Sequence, residues 1–481
     1  MSEIKFGTDG WRAIMAEEFT FGNVRMVAQA IARYLNHHGL GPRGVVLGYD
    51  TRFLSEDFAR AVAEVLMGNQ IPALYIGTCS PTPVTAYVTT IYQAAGAVML
   101  TASHNPPQYN GIKFIPDYGG PAMPEITDEI ERYLQEIVAV AEAPDRCENP
   151  VSCLPFEEGI RRNLLQFIDP RDEYLKHLEA IIDLAAIRLR PLRVVVDPMY
   201  GCGMGYLERL LRDAGCEVFV IHGHRDPMFG GLMPEPGGRW LQELQEAVME
   251  HEADLGLATD GDADRFGIVD RTGQFYNANQ ALYMLLDHLL RSRPYRGPVA
   301  RTVATTHMLD RIAARFGLPV EETAVGFKYI GESLRKRGAI LGGEESGGMS
   351  MHGHIPEKDG ILACALFAEM VAVRGQDPAA IEAEILVEYG TLHSERLDLH
   401  TTPADKERIA RILTDFNPRE IAGYPVREKR TVDGLKLLLE GDRWVLIRAS
   451  GTEPMFRLYV EAPTAEEVAA IQQEVRKMLH L

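Results

Sequence analysis

Short apolar runs alternate with segments of helical periodicity along most of the chain. Val24, Val27, Ala28, Ile31 and Tyr34 recur at the spacing of one helix face, and Thr20 can cap that helix. Further helices are predicted from residue 55 onward and at 207–211 and 308–316. Buried strands are predicted at the apolar runs 45–47, 73–76, 97–100, 193–196, 216–221, 255–258, 299–305 and 339–341. This alternation is typical of α/β layers, and residues 1–150 are interpreted as one parallel α/β layer structure.

The length and a change of pattern near residue 394 indicate four domains. A chain of 481 residues exceeds one ordinary core, because domains usually contain roughly 100 to 200 residues. We predict α/β domains at 1–150, 151–275 and 276–393, with a linker near 143–155. From 394 to 481, a helical stretch precedes strands at 435–440, 444–447 and 456–460 and a helix with a capping box of Thr464 and Glu467. This pattern predicts a smaller α+β domain.

Composition and charge restrict the classes of partner. With 46% hydrophobic and 24% charged residues the chain reads as soluble and globular, and its net charge of −19 argues against nucleic acid or an anionic membrane, which need a basic face. Six cysteines show no paired metal spacing, so a reducing cytoplasm is the expected location. The N-terminus lacks the apolar core of a signal peptide, and the longest apolar run, 361–373, contains Glu369 and is too short to span a bilayer. We expect no nucleic acid and no membrane as partner.

The segment 101–106 (TASHNP) places Ser103 directly after a predicted buried strand. Ligands collect at this edge of the sheet in open α/β folds. Ser103 is therefore a candidate nucleophile, with His104 and Lys113 supplying polar and positive surroundings for a phosphorylated oxygen. A serine in an ordinary turn is the alternative interpretation of this segment taken alone.

An acidic loop, 260–265 (DGDADR), follows the predicted strand at 255–258. Its carboxylates at alternate positions, Asp260, Asp262 and Asp264, are hard oxygen ligands that suit Mg²⁺. A calcium EF-hand is excluded, because counting from Asp260 places Arg265 where a glycine is needed and Arg271 where the bidentate glutamate is needed. A solvated acidic turn remains the alternative at this point.

Glycine- and arginine-containing loops form a further group of candidate segments. The segment 343–348 (GEESGG) places acceptors between glycines that let a ligand approach the backbone. The segment 448–454 (RASGTEP), with Arg457 beyond it, offers donors that suit a phosphate dianion. Each of these is also compatible with a polar surface turn. Glycines at 201, 203 and 205 have the wrong spacing for a dinucleotide fingerprint and are interpreted as turn residues.

Together these segments resemble the signature of the α-D-phosphohexomutases, the family of phosphoglucomutases and phosphomannomutases. The phosphoserine, metal, sugar and phosphate loops of that family match 101–106, 260–265, 343–348 and 448–454, in the family's order. Residues 6–12 (FGTDGWR) and 325–328 (VGFK) resemble two more of its loops. The resemblance implies three similar α/β domains with mixed sheets and a C-terminal α+β domain, arranged around a central active-site cleft.

The resemblance implies a role for each matched residue. Ser103 would carry the phosphoryl group, and Asp260, Asp262 and Asp264 would bind Mg²⁺ together with an oxygen on Ser103. Charge stabilisation or proton transfer would fall to Arg12, His104, Lys113 and Lys328. The substrate would be bound by Arg265, Glu344, Ser346, Arg448, Ser450, Gly451, Thr452 and Arg457. Some family members have histidine where this chain has Gly348, which leaves the general acid or base of that position unassigned.

The reaction implied by the resemblance is an intramolecular phosphoryl transfer between the 1- and 6-positions of a hexose. Phosphorylated Ser103 would donate its group, giving a bound hexose 1,6-bisphosphate that turns over before Ser103 reclaims the other phosphate. Glucose is the expected sugar, because Glu345 and Gly348 resemble the phosphoglucomutase pattern. Dual activity on glucose and mannose, a hexose 1,6-bisphosphate synthase and a non-catalytic sugar-phosphate sensor are the alternatives. The expected partner is a phosphorylated hexose, and the protein would be a monomer or a homodimer.

Overall fold

The structure is a computed structural model that describes residues 4–5, 10–142, 149–449 and 455–479. The chain divides into two compact units, Met1–Ala278 with Ser346–Pro378 and Asn279–Glu345 with Ala379–Leu481. Most of the predicted linker, residues 143–148, lies outside the described part. No helix within the described residues combines the length and the apolar character needed to cross a membrane.

The first sheet of the first unit has the order β1-β5-β4-β2-β3-β6. β2 is parallel to β3 and β4, and β3 is parallel to β6, whereas β5 runs antiparallel to β4 and β1. Its elements are β1 (Trp11–Ile14), α1 (Phe21–His37), β2 (Val45–Tyr49), α2 (Ser55–Gly68), β3 (Ala73–Ile76), α3 (Thr82–Ile91), β4 (Gly96–Leu100), β5 (Tyr109–Pro116), α4 (Pro124–Glu142), α5 (Phe156–Arg161) and β6 (Leu165–Ile168). The parallel layer predicted for this region is therefore wrong in part: the serine loop between β4 and β5 is too short for a crossover connection, so the chain returns antiparallel.

The first helix illustrates how the apolar pattern determines local structure. Thr20 caps α1, since its Oγ1 accepts a hydrogen bond from the Asn23 backbone N–H at 3.3 Å. The face carrying Val24, Val27 and Ile31 is fully buried against the sheet core. Both the helix and its cap match the prediction from the sequence.

The second sheet has the order β11-β10-β9-β7-β8 and carries the acidic loop. β7 is parallel to β8 and β9, while β10 is antiparallel to β9 and β11, so the acidic loop is the connection of the antiparallel pair β9–β10. Its elements are α6 (Arg171–Ile181), α7 (Leu184–Leu189), β7 (Arg193–Asp197), α8 (Leu207–Asp213), β8 (Glu217–Val220), α9 (Gln242–Glu250), β9 (Leu255–Thr259), β10 (Phe266–Asp270) and β11 (Phe275–Tyr276).

The next part of the chain contributes to both units. In the second unit, β12 is parallel to both β13 and β14. The elements in chain order are α10 (Ala278–Ser292), β12 (Val299–Thr302), α11 (Met308–Arg315), β13 (Val320–Thr323), α12 (Phe327–Glu332), β14 (Leu341–Gly343), β15 (Met349–Met351), α13 (Gly360–Arg374) and α14 (Pro378–Tyr389). In the first unit, α13 packs against β9, β10 and α7. The apolar run 361–373 is thus a helix buried on nearly all sides in a protein core.

The C-terminal part of the second unit is an antiparallel sheet of order β16-β21-β20-β19-β18-β17 with helices against its core. Its elements are β16 (His393–His400), α15 (Pro403–Asp415), β17 (Glu420–Ile421), β18 (Tyr424–Arg430), β19 (Leu435–Leu439), β20 (Arg443–Ala449), β21 (Met455–Ala462) and α16 (Ala465–Leu479). Thr464 Oγ1 accepts from the Glu467 N–H at 3.3 Å, as the predicted cap requires. The predicted fold class of α/β domains with mixed sheets followed by an α+β domain is confirmed.

One element of this last domain differs from the prediction. The chain from residue 394 does not begin as a helix but as the edge strand β16, which precedes α15. Leu397 and Leu399 alternate with charged residues and pack against the domain core, which is the period of a half-buried strand. Only two apolar positions carry that period, so the sequence signal was weak.

Candidate active site

The serine loop leaves β4 with an unusual backbone conformation at Ser103. Ser103 has a φ of 51°, in the left-handed region that residues other than glycine rarely adopt. Its N–H donates to Thr101 Oγ1 at 2.8 Å, and its side chain is almost fully buried. Strained conformations of this kind persist where the surroundings hold them, and they are concentrated at functional sites.

A buried arginine, Arg52, holds the serine loop in place. Its Nη2 donates to the carbonyl oxygens of Ser103 and Asn105 at 2.6 Å each, and its Nη1 donates to those of Pro106 and Tyr109 at 2.8 and 3.1 Å. Its charge is balanced by Asp50, whose Oδ2 accepts from Nε at 3.1 Å. This arginine is not among the site residues predicted from the sequence; the signal was an aspartate and an arginine shortly after the buried strand β2.

Arg12 and His104 flank Ser103. Arg12 lies on β1 opposite Gly111, and its Nη1 donates to Asn105 Oδ1 at 2.9 Å. His104 Nδ1 lies 3.4 Å from Ser103 Oγ. Burial, together with the charges of Arg265 and Arg12, lowers the pKa of His104 well below its usual range. The imidazole next to the serine oxygen is therefore neutral.

The acidic loop meets Ser103 through Asp260. Ser103 Oγ donates to Asp260 Oδ2 at 3.1 Å, although the two residues lie 157 positions apart in sequence. Asp260, Asp262 and Asp264 are fully buried, and each offers an oxygen within 4.8 Å of the others. Burial and the two neighbouring carboxylates raise the pKa of Asp260 well above its usual value. Three buried carboxylates at this spacing require positive charge.

Two lysines supply part of that charge. Lys113 Nζ lies 2.8 Å from Asp262 Oδ2 and 3.0 Å from Asp264 Oδ2, and Lys358 Nζ lies 3.3 Å from Asp264 Oδ2. Burial alone would raise the pKa of Asp262, but Lys113 lowers it below its usual range. Lys358 is a residue that sequence reasoning missed. Lys358 directly precedes Asp359, the N-cap of α13, so the start of that helix determines its position. None of the recognised motifs includes this helix start.

The donor set of the acidic loop fits a divalent cation. Asp262 Oδ1 and Asp264 Oδ1 are buried and have no hydrogen-bond partner among the described residues. Such orphaned carboxylate oxygens are rare, because leaving a buried acceptor unsatisfied costs about 1–3 kcal/mol. Carboxylate oxygens are the ligands that Mg²⁺ prefers. The three aspartates are thus able to hold Mg²⁺ beside the serine oxygen.

The glycines at 201 and 203 pack directly against the backbone of the acidic loop and the end of β9. A Cβ at Gly201 would lie 2.8 Å from the carbonyl oxygens of Asp260 and Gly261, and one at Gly203 would lie 2.7 Å from Thr259 Oγ1. Cys202 N–H donates to the Gly261 carbonyl at 3.0 Å. The predicted turn residues are therefore close-approach glycines that let one loop pack on another.

The first unit contains two more predicted residues. Arg265 is the last residue of the acidic loop, and Ser346 lies at the start of a glycine turn. The Arg265 N–H donates to Asp260 Oδ1 at 2.9 Å. Ser346 is half-buried and precedes Gly347, which has a φ of 98° and whose added Cβ would lie 3.6 Å from Arg265 Cβ. The first unit thus brings together Arg12, Ser103, His104, Lys113, Asp260, Asp262, Asp264 and Arg265.

In the second unit, a hydrogen bond connects Glu344 to the loop directly before Lys328. Glu344 is buried, and its Oε1 accepts from the Gly326 N–H at 2.9 Å. Gly326 directly precedes α12, whose second residue is Lys328. The Lys328 ammonium lies over the Tyr329 ring, 5.5 Å from its centroid, and the side chain is half-buried. The sugar-loop glutamate therefore fixes the loop that carries the lysine.

Arg448 and Arg457, the predicted arginines of the last domain, lie opposite each other in its sheet. Arg448 on β20 pairs with Arg457 on β21. Like charges in directly opposite positions destabilise a sheet unless an anion lies between or beside them. Arg448 Nε donates to Asp433 Oδ2 at 2.8 Å, and Arg457 Nε lies 4.0 Å from Asp398 Oδ1. The predicted residues Ser450, Gly451 and Thr452 lie outside the described residues.

Comparison with family models places this geometry among known proteins. Four models described as phosphoglucomutase/phosphomannomutase match the chain: α/β/α domain I at residues 3–140, α/β/α domain II at 172–273, α/β/α domain III at 277–389 and the C-terminal domain at 403–478.

Individual relatives match over nearly the whole chain. A phosphoglucomutase/phosphomannomutase of Thermococcus kodakarensis is 31% identical over 96% of this chain and 95% of its own. A probable phosphoglucosamine mutase of Pyrococcus abyssi is 32% identical over 98% of this chain and 97% of its own. A crystal structure of a presumed phosphomannomutase from Thermus thermophilus has a TM-score of 0.84 and 35% identity, with 100% of both chains covered.

Proposed function

The chain belongs to the phosphoglucomutase/phosphomannomutase family, as its motifs indicated, and from this membership we propose that it interconverts hexose 1-phosphate and hexose 6-phosphate through a phosphorylated Ser103. Members of this family are phosphohexomutases, which are isomerases that transfer a phosphoryl group within a substrate. The observation that carries the proposal is the hydrogen bond of 3.1 Å from Ser103 Oγ to a buried aspartate triad.

The proposed reaction consists of two balanced transfers. In the first, the P–O bond to Ser103 Oγ breaks as the free sugar hydroxyl bonds to phosphorus, and the proton of that hydroxyl passes to the released Ser103 Oγ. The hexose 1,6-bisphosphate then turns over. In the second transfer, Ser103 Oγ bonds to the other phosphorus, the P–O bond to the sugar oxygen breaks, and the serine proton passes to that released sugar oxygen. His104 Nδ1 lies 3.4 Å from Ser103 Oγ, and because its pKa is lowered it would relay that proton and not retain it.

Phosphoryl transfer depends mainly on positioning and on compensation of negative charge. When Mg²⁺ is bound, it offsets the repulsion between the phosphoserine and the incoming sugar phosphate. Asp260, Asp262 and Asp264 would hold the cation, with a phosphate oxygen on Ser103 as a further ligand. Lys113 orients two of these carboxylates, those of Asp262 and Asp264, through ion pairs of 2.8 and 3.0 Å. Arg12 and Arg265 add positive charge around Ser103.

The substrate residues follow from the family motifs. We assign Glu344 and Ser346 to sugar hydroxyls, and Arg448, Ser450, Gly451, Thr452 and Arg457 to the phosphate that does not react. Lys328 would approach the transferring phosphoryl group. Arg448 opposite Arg457 supports this assignment, because two guanidinium groups on neighbouring strands offer several donors to one phosphate. Glucose is the proposed sugar.

A coupled assay for conversion of glucose 1-phosphate to glucose 6-phosphate tests the proposal, with phosphopeptide mass spectrometry on the same sample. We expect turnover in the presence of Mg²⁺ and a phosphate on Ser103, and we expect Ser103→Ala to lose both. Ser152→Ala is the matched control, since Ser152 is an exposed serine of the same unit. Release of free hexose 1,6-bisphosphate as the main product would favour a bisphosphate synthase, and active protein without phosphate on Ser103 would refute the mechanism.

A further inference from the structure

An aspartate outside every recognised motif connects two of the candidate substrate loops. Asp433 lies in the turn between β18 and β19, with 23% of its side chain exposed. One of its oxygens, Oδ2, accepts from Arg448 Nε at 2.8 Å and from the Val325 N–H at 3.0 Å. A single carboxylate oxygen thus bonds both the phosphate arginine and the backbone that leads to Lys328.

The residue after Asp433 is suited to this arrangement. Gly434 has a φ of 79°, and a Cβ added there would lie 2.6 Å from the Ile447 carbonyl oxygen and 3.1 Å from Arg448 Cα. Any side chain at this position would push the turn away from the strand that carries Arg448. The glycine therefore keeps the Asp433 carboxylate within reach of the Arg448 guanidinium.

The loop before Lys328 is held by two carboxylates in succession. Val325 N–H donates to Asp433 and Gly326 N–H donates to Glu344 Oε1, at 3.0 and 2.9 Å. Gly326 has a φ of 128°, a conformation that the two bonds stabilise directly before α12. Loops with two charge-assisted anchors lose less entropy when a ligand binds, because they are already ordered.

Charge supports the same role. Arg448 lies opposite Arg457, so two cations face each other across the strand pair, and Arg457 lies 4.0 Å from Asp398 Oδ1. Asp433 offsets part of that charge through Nε of Arg448, and a guanidinium binds phosphate in a fork through its other nitrogens. Asp433 therefore orients the Arg448 guanidinium through Nε alone and leaves its Nη groups to bind phosphate.

We propose that Asp433 is a positioning residue that holds Arg448 and the Val325–Lys328 loop at a fixed spacing, so that the substrate phosphate meets a preformed clamp. The inference rests on the proposed function, because it takes Arg448 as a phosphate ligand. Asp433 itself does not touch the substrate. Its loss should therefore act through Arg448, which distinguishes positioning from direct binding and from a general effect on folding.

Calorimetric binding of glucose 6-phosphate to the Ser103→Ala protein, which cannot react, is the test. In that background we expect Asp433→Ala to weaken binding about tenfold, as for loss of one charge-assisted bond. Asp433→Asn keeps an acceptor oxygen of the same size and should weaken binding less. Asp442→Asn is the control, since Asp442 is an exposed aspartate that pairs with Arg311 in the same unit.

A double-mutant cycle with Arg448→Ala decides whether Asp433 acts through the arginine. Once Arg448 is absent, Asp433→Ala should change the affinity by less than about twofold, because coupled residues are not additive. Full additivity of the two substitutions, or unchanged affinity in Asp433→Ala, overturns the proposal. The proposed function still stands in that case if the unmodified protein has mutase activity and Arg448→Ala weakens substrate binding. Unchanged affinity in Arg448→Ala would remove the clamp itself, and absence of mutase activity in the unmodified protein would refute the function. If Asp433→Ala lowers the melting temperature, the cycle is measured with Asp433→Asn.

Discussion

The buried Arg52 side chain determines the backbone geometry around Ser103, the proposed nucleophile. Its guanidinium bonds the carbonyl groups of four residues around Ser103 and is neutralised by Asp50. Lysine carries its donors on one flexible atom, so it cannot reproduce this planar fork. Loss of the arginine should therefore affect the left-handed backbone conformation of Ser103 first.

Arg52→Lys should therefore impair catalysis more than folding. We expect a fall in kcat of about 10²-fold, because small displacements of a reacting group cost about that much, and a lower melting temperature. Arg60→Lys is the control, since Arg60 lies on the surface of the same domain with 45% of its side chain exposed. Equal kcat values for Arg52→Lys and the unmodified protein would contradict a role of Arg52 in shaping the serine loop.

Binding of Mg²⁺ to the acidic triad should be measurable as an increase in stability, independently of catalytic activity. Asp262 Oδ1 and Asp264 Oδ1 are buried without partners among the described residues, so a cation that bonds them should stabilise the fold. At a Mg²⁺ concentration of 100 times its Kd, binding should add about 2.7 kcal/mol to the free energy of unfolding. Thermal unfolding with and without Mg²⁺ measures this effect.

Asp260→Asn with Asp262→Asn should abolish the stabilisation by Mg²⁺ together with turnover, and chelation of the unmodified protein should stop turnover reversibly. Asp226→Asn serves as the control, since Asp226 is a half-buried aspartate of the first unit whose carboxylate accepts from the Met228 and Gly230 N–H groups. A double variant that still gains thermal stability from Mg²⁺ would place the metal elsewhere.

At the residue scale, the sequence indicated those groups that lie within a motif at a strand end. Ser103 and the three aspartates are of this kind, and the structure brings them together. Arg52, Lys358 and Asp433 lie outside such motifs, and their partners are far away in sequence. A charged residue that will be buried by distant chain segments looks the same in a sequence as one that will be solvated.

At the scale of elements, a buried ionic cluster joins β12 and β13 to the C-terminal sheet within the second unit. Glu322 Oε2 accepts from Arg301 Nη1 and Lys436 Nζ at 2.7 Å each, and its Oε1 accepts from Arg430 Nη1 at 2.9 Å. Burial and the charge of Arg301 lower the pKa of Lys436 to about 8. Burial alone would raise the pKa of Glu322, but His307, Lys436 and Arg301 hold it below its usual range.

Glu322→Gln should destabilise the second unit by about 3–5 kcal/mol at pH 7, because it removes the carboxylate that pairs with the buried Lys436 and one of the two that bond Arg301, the other being Asp310. A carboxylate with a depressed pKa in the folded state contributes stability that is present above its unfolded value of 4.5 and is lost as pH falls below it. The variant should lack this part of the acid sensitivity. Urea unfolding between pH 7 and pH 3, with the exposed Glu440→Gln as control, measures both effects. An identical pH profile in both proteins would contradict the assignment.

Strands and helices with strong apolar periods were predicted correctly, and the failures have physical causes. α1, β3, β7 and β9 agree with the predicted positions. β16 was missed because an edge strand needs only one apolar face, and here that face has few residues. The antiparallel return of β5 was missed because strand direction depends on the length of the connection and not on the apolar pattern.

At the scale of the whole molecule, the relatives agree on fold and on reaction class but not on the sugar. Proteins named phosphoglucomutase/phosphomannomutase and phosphoglucosamine mutase are 31% and 32% identical to this chain over nearly equal spans. Overall similarity therefore does not select a substrate, because a fold can be kept while specificity is changed by a few residues in the site. The choice must come from the sugar loop.

Glucose 1-phosphate should be preferred over mannose 1-phosphate, and glucosamine and N-acetylglucosamine phosphates should be poor substrates. Glu345 and Gly348 resemble the phosphoglucomutase pattern, and Thr302 Oγ1 lies 3.5 Å from Glu345 Oε2, where it orients that carboxylate. Glu344 and Ser346 would contact hydroxyls that glucose and mannose share, so they do not distinguish epimers at carbon 2. Discrimination must arise around carbon 2, where one hydrogen bond is worth about 1 kcal/mol.

In the proposed reaction the bisphosphate is accepted in two orientations, which limits how tightly the protein can surround carbon 2 in either of them. We therefore expect a preference for glucose over mannose of about tenfold or less, and a stronger rejection of the N-acetyl group, whose bulk must be accommodated in both orientations. Comparison of kcat/KM for the four sugar phosphates, measured with Ser103 phosphorylated beforehand, checks this order. Glu345→Gln should reduce the preference for glucose while Glu332→Gln, a surface glutamate on α12, leaves it unchanged. An amino sugar or mannose 1-phosphate that is turned over tenfold faster than glucose 1-phosphate would overturn this interpretation of the sugar loop.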